Sequence, residues 1–230
     1  MKKGVCVVVG VGPGNGAEIA RKFAAEGYQV ALCARNKQKL ETISATIEGS
    51  HVYCYDVQKP EDHQNVFDQI REELGPVEVL VYNSGAGEFS NIEQATLEGF
   101  QASWEINARG LFLATKQVLP DMKLNKNGNI VVIGATASVK GGPNSAPFSS
   151  AKAAQRGLAQ SMAKHLGPQK IHVSYVVLDG MVKPSRPMPR YPDEYFMNPA
   201  QIADAVYFLT QQPPQAWTFE LDLRAFGEKW

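Results

Sequence analysis

Four glycines crowd into seven residues, Gly10-Val11-Gly12-Pro13-Gly14-Asn15-Gly16, between an apolar run and an amphipathic stretch. Glycines there permit a tight turn and let backbone approach a phosphate at a helix N-terminus, whose dipole and free N–H groups attract anions. Asn15 breaks a Gly-x-Gly-x-x-Gly reading, whereas Gly10, Gly14 and Gly16 fit Gly-x-x-x-Gly-x-Gly. After a strand and before a helix, the loop, with Gly12 and Asn15 inside it, reads as a cradle for a dinucleotide pyrophosphate. The alternative is a flexible turn with no ligand. A second position decides which dinucleotide. A carboxylate at the end of the second strand would bond the adenosine ribose and repel a 2′-phosphate. This chain has Ala34 followed by Arg35. A guanidinium clamps a phosphate through charge-assisted bonds, so NADP(H) is expected over NAD(H). A solvated arginine opening a helix is the bland alternative.

These residues need a scaffold, and the chain supplies one by alternation. Strand-like runs are Val5–Val9, 28–33, 51–55, Val77–Tyr82, 130–133, Ile171–Leu178 and 218–223. Helical patterns separate them at 17–26, 37–47, Pro60–Leu74, 96–124, Ala146–Leu166 and Pro199–Thr210, with Pro120 expected to kink or end the fourth. Regular βα alternation predicts an α/β fold. We expect a single-domain Rossmann architecture over 1–230, a doubly wound parallel sheet of about seven strands with helices on both faces. Ligands of such a sheet bind at the carboxyl ends of its strands, where strand order reverses.

Composition narrows the partners. Lys+Arg and Asp+Glu are both 23, so no domain-wide basic field exists to hold nucleic acid. Apolar runs are only strand-length, and no membrane span is expected. Met1-Lys2-Lys3 before an apolar run resembles a signal peptide, but the run breaks into glycines without a cleavage pattern, so a first strand is expected. Cys6, Cys33 and Cys54 fall in predicted strands without metal-type spacing, which predicts buried, reduced thiols and a cytoplasmic home. His51, His63, His165 and His172 are scattered, and no metal site is expected.

The chain resembles the short-chain dehydrogenase/reductase family over essentially its whole length. Gly10, Gly14 and Gly16 resemble its cofactor loop, and Asp56-Val57 its adenine-contacting pair. Val81-Tyr82-Asn83-Ser84-Gly85 resembles its Val-Asn-Asn-Ala-Gly segment, and Trp104-x-x-Asn107-x-x-Gly110 its helix with the catalytic Asn. The resemblance implies cofactor-binding roles for Asp56, Val57, Asn83, Gly85, Lys152 and Gly180, catalytic roles for Asn107 and Lys152, and a homodimer or homotetramer built on the long helices. It also implies a catalytic Ser and Tyr, and there this sequence departs. The Tyr position is Phe148, in Phe148-Ser149-Ser150-Ala151-Lys152, and the Ser position is Ala135. The Pro-Gly pair after the sixth strand reads Asp179-Gly180, and the expected carboxamide-contacting Thr falls on Pro184.

Loss of a positioned proton donor removes about 10²–10⁴-fold of rate but does not forbid hydride chemistry. Replacement donors are scarce. No tyrosine lies between Tyr82 and Tyr175, and the Tyr-x6-Lys spacing of enoyl reductases puts Ser145 opposite Lys152. Thr136, Ser138 and Ser149 are unactivated hydroxyls, while Tyr191 and Tyr195 sit in a loop after the sixth strand. That loop, punctuated by Pro184, Pro187, Pro189 and Pro192, carries Lys183, Arg186 and Arg190; it reads as a stiff connection or a lid for an anionic substrate. Gln155, Arg156 and Gln160, with small residues on the same helix, are expected at an oligomer interface. Trp217, Phe219, Phe226 and Trp230 are expected in the core or a subunit contact. The function carried forward is an NADP(H)-dependent oxidoreductase acting on a carbonyl or activated alkene with a non-standard proton source. The alternative is a non-catalytic NADP(H)-binding sensor or regulator, and a structural component that has lost the ligand comes third.

Overall fold

The computed structural model describes residues 3–184, 186 and 188–228. The chain runs β1 (Val5–Val9), α1 (Asn15–Ala25), β2 (Gln29–Ala34), α2 (Lys37–Ser44), β3 (Ser50–Cys54), α3 (Pro60–Leu74) and β4 (Val77–Tyr82). It continues through α4 (Leu97–Trp104), a π turn (Glu105–Arg109), α5 (Gly110–Asn125), β5 (Gly128–Ile133), α6 (Ala146–Leu166) and β6 (Ile171–Leu178). A two-residue strand β7 (Met181–Val182) pairs with β8 (Phe196–Met197), followed by α7 (Pro199–Thr210) and β9 (Glu220–Leu223).

Seven parallel strands form one sheet in the order β3-β2-β1-β4-β5-β6-β9. The order reverses between β1 and β4, which opens a crevice above their carboxyl ends. The continuous apolar runs follow from burial on both faces. In β1, Val5, Val7 and Val9 join one core layer with Phe67, Leu111, Val118 and Met122. Cys6 and Val8 join the other with Ile19, Phe23, Leu40 and Val206. Each valine taken fully out of water stabilises the fold by roughly 1.5–3 kcal/mol, so one such strand anchors both helical layers. The expected doubly wound, seven-stranded sheet with helices on both faces is the observed one.

Several expectations need correction. The helix expected at 96–124 contains the π turn, and it runs through Pro120 rather than ending there. Pro120 lies on the exposed side of the helix, where its ring meets solvent. Cys6 and Cys33 are buried but Cys54, at the end of β3, is exposed. Phe226 is 88% exposed and belongs to no core. Trp217 stacks on buried His172 with ring centroids 4.8 Å apart, and Phe219 packs against the core. The β7–β8 pair, invisible in the sequence, brackets the proline-rich loop. Pro187 and Trp230 lie outside the described residues. Among the described residues no helix is long and apolar enough to cross a membrane.

Candidate active site

The glycine loop is shaped by two close approaches and two open ones. Gly10 has φ +86°, and a Cβ there would lie 2.5 Å from the Ser84 nitrogen. A Cβ on Gly16 would lie 2.7 Å from the Val11 Cα. Gly12 and Gly14, by contrast, have nothing within 4 Å of a Cβ, so their missing side chains leave space over the start of α1. Gly14 is the N-cap of α1 and supplies no side-chain cap, which leaves that helix end suited to an anion. Asn83 fixes the loop to β4: its Nδ2 donates to the Gly10 carbonyl at 2.7 Å and its backbone N–H to the Val9 carbonyl at 2.9 Å. Asn15 carries a buried Oδ1 with no hydrogen-bond partner among the described residues.

A crevice of about 310 Å³ runs from the end of β2 to the end of β4, lined by Gly10, Gly12, Arg35, Asp56, Val57, Asn83 and Gly85. Arg35 stands exposed on its rim, and among the described residues its guanidinium has no hydrogen bond or ion pair. Asp56 turns the chain by accepting from the Gln58 N–H at 3.1 Å. Gly14, Asn15 and Gly16 lie just behind this lining at the helix start. Gly180 is set apart from it, at the end of β6 with φ +139° and close to Glu228. The open cradle at Gly12 and Gly14, the uncapped helix and the unpaired Arg35 fit a phosphorylated dinucleotide.

Beside Gly85 the two expected catalytic side chains meet. Asn107 lies in the π turn, whose wider winding sets it apart from the flanking helices. Its Nδ2 donates to the carbonyls of Ala86 and Ser103, both at 2.7 Å, while its buried Oδ1 has no hydrogen-bond partner among the described residues. Lys152, on α6, is 3% exposed. Its Nζ donates to the Ile133 carbonyl and to Gln155 Oε1, both at 3.0 Å. A Cβ built on Gly85 would sit 3.0 Å from Lys152 Nζ and 3.5 Å from Asn107 Oδ1, so glycine leaves open the point on which both converge. Burial alone pushes the Lys152 ammonium down to about 7, which populates amine and ammonium together near neutrality.

The Phe148 ring forms part of the wall. A Cβ on Gly87 would lie 2.9 Å from its Cδ2, and its centroid is 5.9 Å from Lys152 Nζ. The hydroxyls near it in sequence are engaged elsewhere. Thr136 donates to Asp179 Oδ1 at 2.7 Å, Ser138 pairs with the Tyr175 hydroxyl at 2.7 Å, and Ser149 pairs with Ser145 at 2.7 Å. Tyr191 and Tyr195 stack on each other with centroids 4.7 Å apart, against Phe196.

One site residue escaped the sequence reading. Gln155, expected at an oligomer interface, is wholly buried and bonds Lys152. Its position one helical turn after Lys152 was the available signal, since i and i+3 share a face. Arg156, its neighbour, pairs with Glu220 across the sheet edge.

The short chain dehydrogenase family matches residues 4–192. The chain is 28% identical to a 3-oxoacyl-[acyl-carrier-protein] reductase of Bos taurus over 222 residues, 91% of this chain and 92% of that one. It is 33% identical over 164 residues to a 2-dehydro-3-deoxy-L-rhamnonate dehydrogenase (NAD(+)) of Sphingomonas sp. (strain SKA58), covering 70% of this chain and 65% of that one. An alcohol dehydrogenase from the archaeon Thermococcus sibiricus, solved with 5-hydroxy-NADP, superposes with a TM-score of 0.88 at 28% identity, covering 98% of both chains.

Proposed function

This chain belongs to the short-chain dehydrogenase family, and from that premise we propose an NADP(H)-dependent oxidoreductase of a small organic substrate whose proton does not come from a tyrosine. One observation carries the reading: Lys152 Nζ and Asn107 Oδ1 converge on Gly85, in the same crevice whose rim bears the unpaired Arg35. The reading takes 1–230 as one nucleotide-binding domain, cytoplasmic, and assembled as a homodimer or homotetramer. Trp104 and Phe112, apolar and half-exposed on α4 and α5, suit such an assembly.

When bound, a reduced nicotinamide supplies a hydride. The residues of the chain do the rest. Gly10, Gly12, Gly14, Asn15 and Gly16 receive the pyrophosphate at the start of α1. Arg35 selects a 2′-phosphate, which sets this chain toward NADP(H) although relatives of the family include an NAD(+) dehydrogenase. Asp56, Val57, Asn83 and Gly85 wall the crevice, and Gly180 completes the assigned cofactor-binding set. Lys152 and Asn107 hold the polar end at Gly85. Ala135 and Phe148 stand at the family's Ser and Tyr positions without hydroxyls, so a proton reaches the product from Lys152 or solvent. Substrates whose reduction leaves a weakly basic anion tolerate that route best, which favours activated alkenes and strongly electrophilic carbonyls.

A second reading, a non-catalytic NADP(H)-binding regulator, draws on the packing of Phe148 over Gly87, which makes the ring a piece of wall. Fluorescence titration with NADPH and NADH, followed by a carbonyl and enone screen, separates the two. Saturable NADPH binding with turnover that Lys152→Ala abolishes supports the oxidoreductase. Tight binding without turnover supports the regulator, and no binding of either nucleotide overturns both.

A further inference from the structure

Gln155 is 0% exposed at the centre of α6. A polar side chain so deep is tolerated when its groups are bonded, and a half-satisfied amide is costly. Here both ends are used. Oε1 accepts from Lys152 Nζ at 3.0 Å, and Nε2 donates to the backbone carbonyl of Asn107 at 2.9 Å. The amide has one consistent orientation, because the flipped form would set NH₂ against the lysine nitrogen and oxygen against a carbonyl. The Tyr175 hydroxyl also lies 3.4 Å from Oε1.

The consequence lies in what is left on Lys152. An ammonium has three N–H donors and an amine has two plus a lone pair. The Ile133 carbonyl and Gln155 Oε1 occupy two donors in either state. One tetrahedral position remains, carrying an N–H in the first state and a lone pair in the second. Nζ lies 3.0 Å from the position that a Cβ on Gly85 would take, which the glycine leaves without an atom. We infer that Gln155 is a positioning residue that restricts proton exchange at Lys152 to a single direction, toward the Gly85 end of the crevice, and holds the proton there. In reduction the Nζ–H bond breaks with its electron pair kept on nitrogen, the proton joins the substrate anion, and water reprotonates the amine. This inference rests on the oxidoreductase reading for its chemical use, but the geometry it describes exists without cofactor.

The surroundings of Lys152 leave Gln155 as the tuning group. On β6 the nearest titratable side chain is Tyr175, held neutral by a pKa pushed up to about 12. On the π turn, Glu105 and Arg109 pair with each other and contact Gln58. The Thr136–Ser138 turn and the Gly85–Gly87 segment carry no titratable side chain.

The test is direct titration of Lys152 by NMR in the full chain labelled with ¹³Cε-lysine, its resonance assigned with Lys152→Met. Removing the accepting oxygen by Gln155→Met is expected to lower the midpoint by about one pH unit, and Gln155→Glu to raise it by about 1–3 units. Melting curves check that each variant folds; if Gln155→Met does not, Gln155→Glu carries the test. An unchanged midpoint in a folded variant overturns the inference. NADPH titration of the same samples keeps the two ideas apart. Shifted midpoints without NADPH binding overturn the proposed activity and leave Gln155 standing, whereas tight NADPH binding with unshifted midpoints overturns the role of Gln155 alone.

Discussion

Phe148 packs against Phe89 with ring centroids 4.7 Å apart and planes tilted by 35°, and the same ring lies over Gly87. Phe89 is 67% exposed, so the pair forms an aromatic lip beside Lys152 rather than a sealed core. A hydroxyl added to Phe148 extends a ring that is already anchored. The double variant Ala135→Ser, Phe148→Tyr is therefore expected to fold and to gain carbonyl reduction by about 10²-fold or more over the parent, measured as NADPH oxidation with electrophilic ketones. No gain would mean that the remaining site is not assembled for carbonyl reduction.

The glycine loop separates two kinds of glycine. Gly12→Ala places a methyl in open space, so its melting temperature should match the parent while nucleotide affinity falls about tenfold or more. Gly16→Ala drives a methyl into the Val11 backbone, and its melting temperature should fall first. Thermal melts beside nucleotide titrations check both; equal melts for the two variants would contradict the geometry.

Among the described residues the Arg35 guanidinium has no partner to lose, so its removal should leave stability unchanged. Charge-assisted bonds contribute about 1.5–3 kcal/mol, and Arg35→Ala should weaken NADPH binding about 10- to 100-fold while leaving NADH binding unaltered. Arg35→Asp should invert the preference. A uniform loss for both nucleotides would place the 2′-phosphate elsewhere.

Burial of Lys152 ties stability to pH with a definite sign. The native pKa is about 7 against an ordinary 10.5, so between these values the unfolded chain binds a proton that the native chain does not. Stability gained from this group therefore rises with pH across that window, and the full penalty of burying the ammonium is felt below pH 7. Lys152→Met should be more stable than the parent at pH 6, on the order of 4–5 kcal/mol at most. Its advantage should shrink steadily toward pH 10. Denaturant melts of both proteins without nucleotide measure this, and a pH-independent difference would show that Lys152 does not titrate in the window.

The parallel sheet and its two helical layers were legible because β1, β4 and β6 are buried on both faces, and a run such as Val5–Val9 has few other places to go; the order of the strands was not. The glycine loop beside the crevice was foreseen from a spacing that fits only a narrow set of turns. Gln155 was not legible in the same way. A glutamine among small residues on a helix suits an interface as well as an interior, and only the approach of the π turn on one side and β6 on the other decides it. The π turn itself was not legible, because Glu105–Arg109 holds no Gly or Pro to mark a change of winding within the helical stretch. Cys54 misled through its place in a strand: β3 is an edge strand, and its final residue leaves the sheet's cover.

That exposed sulfur has a practical consequence. Burial raises the thiols of Cys6 and Cys33 and keeps them from reagents, whereas Cys54 is accessible, with its Sγ 3.3 Å from the Arg35 carbonyl. A maleimide fluorophore added to the native chain should therefore attach at one position, next to the residue assigned to the 2′-phosphate. The unmutated protein thus carries its own attachment point for an optical reporter of nucleotide occupancy.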